Sequence, residues 1–237
     1  MDVFLLPVVP ASPGREPRFE LYCEPAPAPA GDGAGDAAPL SRFGRWEKGF
    51  NQALAEGEAE QRRQEDGTAP AETGSRVTRW LKRSLAAAVA EQRLLWRLRH
   101  AKAARLHHPA TLPSARALAL AAAEFRRDFD KHRLWCGVDT LIVVASAPLA
   151  LVPGPNVLAY YFIFRSVGHF FSMRGARKAL NPGLWTAEPS EPLADLERAL
   201  DLDTASRDDR VTAIEAALGL SRLAVFMRRV ARRSKPA

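Results

Sequence analysis

Three ionisable residues border the most apolar part of the sequence. Asp139 lies near the start of the apolar run 138–164, and Arg165 and His169 follow its end. Charged groups beside an apolar segment are typical of ion and proton pathways, and histidine titrates near neutral pH, which suits it to passing a proton. If the two ends of the run meet, these residues predict a candidate ion or proton site. The alternative is structural: Asp139 caps a helix, Arg165 reaches lipid phosphates and His169 packs in a core.

The other residues capable of chemistry form no recognisable set. His100, His107 and His108 have no cysteine or carboxylate at a zinc-like spacing. The two cysteines, Cys23 and Cys136, cannot supply four metal ligands. The sequence contains no nucleophile motif and no glycine-rich phosphate loop. It therefore predicts no metal site, no cofactor and no enzymatic activity.

A proline-rich turn divides the apolar run into two arms. The run has 27 residues, enough to cross a membrane if it were one straight helix. The residues of the turn are Pro153, Gly154, Pro155 and Asn156. The prolines remove backbone donors and disfavour helix before them, and the arm 138–152 would reach only ~22 Å as a helix, short of a hydrocarbon core of ~30 Å. We therefore expect a helical hairpin with these four residues as its turn motif.

Basic residues lie on both sides of the predicted hairpin. Lys131, His132 and Arg133 precede it, and the residues that follow it include Arg165, Arg174, Arg177 and Lys178. Positive charge on both flanks predicts that both ends stay on one side of a membrane. A re-entrant or shallow hairpin satisfies this, provided that its turn is buried in protein or lies near the headgroups. The alternative is a buried helical hairpin of a soluble domain.

The elements that must position this segment are mostly helical. We predict a small N-terminal β-hairpin at 1–24, a disordered Pro/Ala/Gly linker at 25–40, a helical domain at 41–180 that contains the apolar hairpin, and C-terminal helices at 190–237. The predicted helices before the hairpin cover about 41–65, 76–106 and 115–135. Predicted cap residues are Ser41, Ser75, Ser114, Ser190, Ser206 and, at a helix C-terminus, Gly219.

Charge is distributed in blocks. The chain carries a net +7, with +8 in residues 76–108, −6 in 181–221 and +6 in 222–237. Such blocks predict that the basic face of the helix at 76–106 contacts either an anionic surface or the acidic block of the same chain.

The C-terminal region offers a different interpretation. Residues 213–225 are similar to a bacterial helix–turn–helix, with a Leu-Gly-Leu-Ser turn and a basic tail suited to phosphates. Against DNA binding, a recognition helix here would expose Leu223, Phe226 or Met227, where groove-reading helices carry polar groups. A simple helical hairpin explains the pattern better.

Several motifs together resemble the mitochondrial K+/H+ exchange-related family. They are Phe-Leu-Leu-Pro at 4–7, Phe-Glu-Leu-Tyr-Cys-Glu at 19–24, Leu-Val-Pro-Gly-Pro-Asn at 151–156, Tyr-Tyr-Phe at 160–162 and Phe-Arg-Ser-Val-Gly-His at 164–169. The resemblance implies a role in potassium–proton exchange at an organellar inner membrane. It leaves open whether this polypeptide is the exchanger.

We therefore expect a membrane-associated protein related to K+/H+ exchange, acting as an antiport component or a scaffold. Its expected location is a bacterial or mitochondrial inner membrane. The expected partners are membrane lipids and either a second copy of the chain or another protein, and not nucleic acid. The alternative is a soluble helical interaction protein that binds DNA through its helix–turn–helix-like segment.

Overall fold

A computed structural model describes residues 1–10, 17–24, 93–146 and 157–234, and the structural statements below concern these residues. The described chain is mostly helical, with a small mixed sheet. The strands are β1 (Asp2–Val9), β2 (Arg18–Tyr22), β3 (Ala104–Pro109) and β4 (Trp185–Ser190). The α-helices are α1 (Ser114–Ala145), α2 (Val157–Ala179), α3 (Glu191–Ala199), α4 (Thr204–Ala217) and α5 (Leu223–Ser234).

The chain divides into two compact units. One contains Met1–Pro25 and Leu94–Ala237, and the other contains Ala26–Arg93. Apart from Arg93, the described residues belong to the first unit. The linker at 25–40, the helix at about 41–65 and most of the helix at 76–106 lie outside the described residues, and the predicted domain boundaries stay predictions.

The four strands form one sheet in the order β2-β1-β3-β4. β1 and β2 pair antiparallel with Phe4 opposite Tyr22, while β3 pairs parallel with both β1 and β4. The N-terminal strands therefore pair with each other as predicted, although the connection at 11–16 lies outside the described residues. Successive β1 side chains point to opposite faces of the sheet, so Val3 and Leu5 join one core cluster and Phe4 and Leu6 join the other. Both faces are covered, which explains why β1 is apolar at nearly every position.

The predicted helix at 76–106 is wrong at its C-terminal end. Residues 93–98 are helical, a turn follows at 99–100, and residues 104–109 form β3. Ala104 and Leu106 are buried on one face while Arg105 between them is exposed, which is the alternation of a strand. The segment pairs with β1 on one side and β4 on the other, and these long-range hydrogen bonds determine its conformation.

The helix predicted at 115–135 and the first apolar arm are one continuous helix, α1. Its sequence contains no proline between Ser114 and Ala145, so nothing interrupts the helix where the apolar arm begins. Ser114 does not cap it, because the cap position is Pro113. The Ser114 hydroxyl instead lies 3.0 Å from Nε2 of His108 on β3.

Three short C-terminal helices follow β4, as predicted. Gly219 has φ 65°, the left-handed conformation expected of a residue just past a helix end. Ser190 occupies the cap position of α3 without a side-chain hydrogen bond. The cap predicted at Ser206 is wrong, because α4 begins earlier and the carboxylate of Asp203 accepts from the backbone N–H groups of Ala205 and Ser206.

Candidate functional site

α1 and α2 form an antiparallel pair, here called the helical pair. The hydroxyl oxygens of Thr140 and Ser166 lie 3.0 Å apart, and further from the turn the rings of His132 and His169 are in contact. As the residue number rises along α1 it falls along α2, which is the arrangement expected of two arms that fold back. The predicted turn motif, Pro153, Gly154, Pro155 and Asn156, lies outside the described residues.

The helical pair brings together the three ionisable residues predicted from the sequence. Nε of Arg165 lies 3.0 Å from Oδ2 of Asp139, and Nε2 of His169 lies 3.5 Å from the same oxygen. Asp139 is only 1% exposed, whereas about a third (32%) of the Arg165 side chain is exposed. Asp139 lies within α1 rather than at its N-terminus, so it does not cap this helix.

The carboxyl group of Asp139 has an unusual electrostatic environment. Burial raises its pKa above the ordinary value of 3.8, and the nearby positive charge of Arg165 opposes part of that rise. Among the described residues, no donor makes a hydrogen bond of good geometry to either Asp139 oxygen. Arg165 therefore compensates the charge only in part, and the protonated form of Asp139 is favoured at a higher pH than for an exposed aspartate.

A fourth ionisable residue, His132, belongs to the same site. Its Nδ1 lies 2.8 Å from Nδ1 of His169, and the two ring centroids are 5.1 Å apart. Both rings are more than nine-tenths buried. From the sequence alone, His132 is only one of the positive charges that precede the apolar arm. We call His132, Asp139, Arg165 and His169 the ionisable cluster.

A signal for His132 was present in the sequence. The buried side chains of α1 include Phe125, His132 and Asp139, which follow one another at seven-residue steps. Residues seven apart lie on nearly the same face of a helix, so an apolar residue at 125 and a carboxylate at 139 place His132 on the buried stripe between them. Because histidine is polar, a search for apolar residues at helical spacing does not include position 132.

The ionisable cluster is not arranged as a metal site. His169 directs Nδ1 toward His132 and Nε2 toward Asp139, on opposite sides of its ring, so these groups do not converge on one ion. Within the described part of the chain, no three His, Cys, Asp or Glu side chains form a group that could hold a metal. His107 instead bridges Asp2 and Glu188 across the sheet, and His108 is buried beside Ser114.

At the level of the ionisable cluster, the outer surface of the helical pair is apolar, whereas its interior contains charged side chains. Leu134, Val138, Leu141 and Val144 of α1 are all exposed, Leu141 at 70%, and Ile163 of α2 is exposed as well. We call these five residues the apolar face. Within the described ranges, no helix combines the length and the apolar composition needed to cross a membrane.

The helix–turn–helix-like segment folds as α4, a turn at Gly219, and α5. Leu223 and Met227 are buried in the core cluster that also contains Phe4 and Leu6, so the expectation that a helix here exposes them is wrong. Phe226 packs against Tyr22 of β2, with ring centroids 5.0 Å apart. Arg228 remains exposed on α5.

Together, the fold and the site define a mixed-sheet α/β protein with a buried ionisable cluster inside an apolar-faced helical pair. The sequence model of a family described as mitochondrial K+-H+ exchange-related matches residues 56–181, more than half of the chain. The chain therefore belongs to that family. The matched range contains the whole ionisable cluster and leaves out the N-terminal strands and the C-terminal helices. No curated protein and no solved structure matches the chain.

Proposed function

We propose that the protein is a membrane-associated component of K+/H+ exchange, in which the helical pair enters the lipid interface and the ionisable cluster handles protons. The observation that carries this proposal is the inverted polarity of the helical pair. Large apolar side chains point outward, while Asp139, His132 and His169 are buried between the helices. Proteins in water favour the opposite arrangement, and ionisable residues that face the inside of a bundle are typical of membrane transport.

The depth of insertion follows from the length of the apolar face. From Leu134 to Val144 the helix rises ~15 Å, about half of a hydrocarbon core of ~30 Å. The helical pair would therefore enter one leaflet rather than cross the bilayer. This agrees with the expectation of a shallow hairpin whose ends lie on the same side.

Basic residues on the pair are placed to meet anionic headgroups. Lys131 and Arg133 on α1, and Arg174 and Arg177 on α2, are exposed and lie further from the predicted turn than the apolar face does. Each such cation near an anionic surface contributes about 1 kcal/mol. The charge pattern therefore favours a lipid occupant for the adjoining apolar face over a second protein surface. The inner membrane location expected from the sequence is part of this proposal, and the mitochondrial wording of the family name agrees with it.

Flotation of the purified chain with phosphatidylcholine/phosphatidylglycerol vesicles tests the membrane role. The double variant Leu134→Gln with Leu141→Gln should bind at least about tenfold more weakly, because burial of one leucine contributes about 1.5–3 kcal/mol and 1.4 kcal/mol is tenfold. The matched control is Leu202→Gln, which alters an exposed leucine outside the helical pair. Equal binding by the double variant and the wild type would contradict insertion through the apolar face.

Reconstitution separates an exchanger from a scaffold. Sealed vesicles that contain the purified chain and a potassium gradient should show potassium-dependent proton flux if the polypeptide is part of the exchanger. His169→Ala should then reduce the flux most near about pH 6.5, where an ordinary imidazole titrates. If the wild-type chain binds the vesicles and produces no flux, a scaffold role replaces the exchanger role.

DNA binding through α5 is the second candidate function. The burial of Leu223 and Met227 removes the objection that a helix here would expose apolar side chains, and Arg228 is left exposed on α5. The net charge of +6 in residues 222–237 would suit phosphates. Arg228→Ala should weaken duplex DNA binding similarly for all sequences and reduce the slope of log affinity against log salt by about one. Absence of any salt-dependent binding to duplex DNA would eliminate this candidate.

A further inference from the structure

The two buried imidazoles of the helical pair face each other through the same type of nitrogen. Nδ1 of His132 and Nδ1 of His169 are 2.8 Å apart, a hydrogen-bond distance, and one of the two must carry the hydrogen. We propose that His132, His169 and Asp139 form a single proton relay, in which the imidazoles share one hydrogen-bonded proton and Asp139 is the terminal acceptor. His132 thereby becomes part of a site to which the sequence assigned only Asp139, Arg165 and His169.

The position of Asp139 decides which imidazole donates. Nε2 of His169 lies 3.5 Å from Oδ2 of Asp139, an ion-pair contact without the geometry of a hydrogen bond, and an ionised carboxylate at that distance favours a hydrogen on that nitrogen. A neutral His169 with its hydrogen on Nε2 has a lone pair on Nδ1. His132 must then carry its own hydrogen on Nδ1 and donate it to His169. In the resting state the two neutral rings are therefore opposite tautomers.

A proton can pass through this arrangement with every bond accounted for. A proton that binds Nε2 of His132 makes that ring an imidazolium. The hydrogen on its Nδ1 then transfers to Nδ1 of His169, which leaves His132 neutral with its hydrogen on Nε2. His169, now an imidazolium that is attracted to the carboxylate, gives the hydrogen on Nε2 to Oδ2 of Asp139 once the 3.5 Å contact between these atoms shortens to a hydrogen bond. The net result is one proton moved from His132 to Asp139, with both rings neutral and each tautomer exchanged.

The surrounding charges limit the relay to one excess proton on the imidazole pair. From α2, Arg165 faces Asp139 and disfavours a second positive charge nearby. On α1, the titratable neighbours of His132 one turn away are Asp128 and Cys136, both partly exposed. From the helical segment 93–98, Trp96 donates its indole N–H to the Ser172 hydroxyl at 2.8 Å and adds no charge. Two imidazolium rings in contact would repel each other, so protonation of one opposes protonation of the other.

This inference rests on the proposed function in using the same site, but it concerns proton sharing within the folded chain and requires no membrane. It can therefore fail or stand independently. Linked titration without vesicle binding or flux would leave the relay intact and remove the membrane role. Vesicle binding with two independently titrating histidines would remove the relay alone.

The experiment is 15N NMR of the purified full chain with labelled histidine, which reports the protonation of both ring nitrogens between about pH 5 and pH 8. We expect His132 in the Nδ1–H form and His169 in the Nε2–H form at high pH, and two protonation steps separated by more than about one pH unit. Two Nε2–H rings that titrate together at a single midpoint would overturn the proposal.

Variants distinguish a relay from two neighbouring histidines. His132→Asn keeps a hydrogen-bonding group near Nδ1 but cannot be protonated, so His169 should titrate in one step with a changed midpoint. His132→Phe should have the same effect if it folds, and the Asn variant decides the outcome if it does not. His100→Asn, which alters an exposed histidine away from the pair, should leave the titration of His132 and His169 unchanged. An unaltered His169 titration in His132→Asn would contradict proton sharing.

Discussion

Nδ1 of His132 and Nδ1 of His169 are in hydrogen-bond contact at 2.8 Å, although 37 positions separate the two residues in the chain. His169 also faces the buried carboxyl group of Asp139, which in turn pairs with Arg165. The ionisable side chains of His132, His169, Asp139 and Arg165 therefore form a continuous row inside the helical pair.

The first prediction concerns the effect of Asp139 on stability. Because the pKa of Asp139 is raised in the folded protein, the folded state binds more protons than the unfolded state at pH values above 3.8. The free energy of unfolding should therefore fall as pH rises from 3.8 through the raised pKa, and Asp139→Asn should remove this contribution. Urea unfolding of both proteins across this range should show the stability of the variant increasing relative to the wild type. A relative stability that decreases with pH would contradict a raised pKa.

The second prediction has the opposite sign and concerns Asp2 on β1. A hydrogen bond from His107, with a smaller effect of Arg105, lowers the pKa of Asp2 below 3.8. Asp2 therefore contributes stability above pH 3.8 that is lost as pH falls through its lowered pKa. The side chain is partly exposed, so Asp2→Asn should cost less than about 1 kcal/mol near neutral pH. The cost should shrink in acid. Urea unfolding of the variant and the wild type, near neutral pH and again in acid, would measure this change. A cost that grows in acid would show that His107 and Arg105 do not stabilise the carboxylate.

The third prediction concerns the close approach of α2 to the helical segment 93–98. A Cβ on Gly175 would lie 1.8 Å from the carbonyl oxygen of Leu95, a backbone atom that cannot rotate away. Gly175→Ala should therefore destabilise the protein by about 1–3 kcal/mol or more, as overpacking does in other cores. Thermal or urea unfolding would measure the loss.

The matched control for Gly175 lies on the facing helix. A Cβ on Gly137 would meet no atom within 4 Å, so Gly137→Ala changes the same residue type in α1 without a clash. It should stabilise the protein by about 0.5–1 kcal/mol, because alanine is the better helix former. Equal effects of the two substitutions would mean that the contact with Leu95 does not limit the packing of α2.

The fourth prediction concerns the turn motif at 153–156. If Pro153 and Pro155 prevent helix between the two arms, changing both to alanine should extend helical structure through the turn and raise the helical signal in circular dichroism. In vesicles, the C-terminus should then become protected from an external protease to which it was accessible, a change that requires the pairing of β4 with β3 to break. Unchanged helicity and protection would show that the prolines do not determine how the arms fold back.

The sequence by itself contained the elements of the helical pair. A proline-broken apolar run with ionisable residues at both ends predicted that Asp139, Arg165 and His169 could approach one another, and the structure places His169 and Arg165 within 3.5 Å of Asp139. The reason is local: apolar periodicity and helix-breaking residues act within a few positions of the chain. The same local signals gave the three C-terminal helices and the turn at Gly219.

Only the tertiary structure decided which strands form the sheet and which polar side chains are buried. The helix predicted at 76–106 includes residues 104–106, but hydrogen bonds to β1 and β4, which are distant in sequence, make 104–109 a strand. In the sequence, His132 resembles a flanking cation, and only its contact with α2 shows that the side chain is buried. In both cases the deciding contacts come from distant segments, and a propensity of a few tenths of a kcal/mol per residue yields to such packing and pairing.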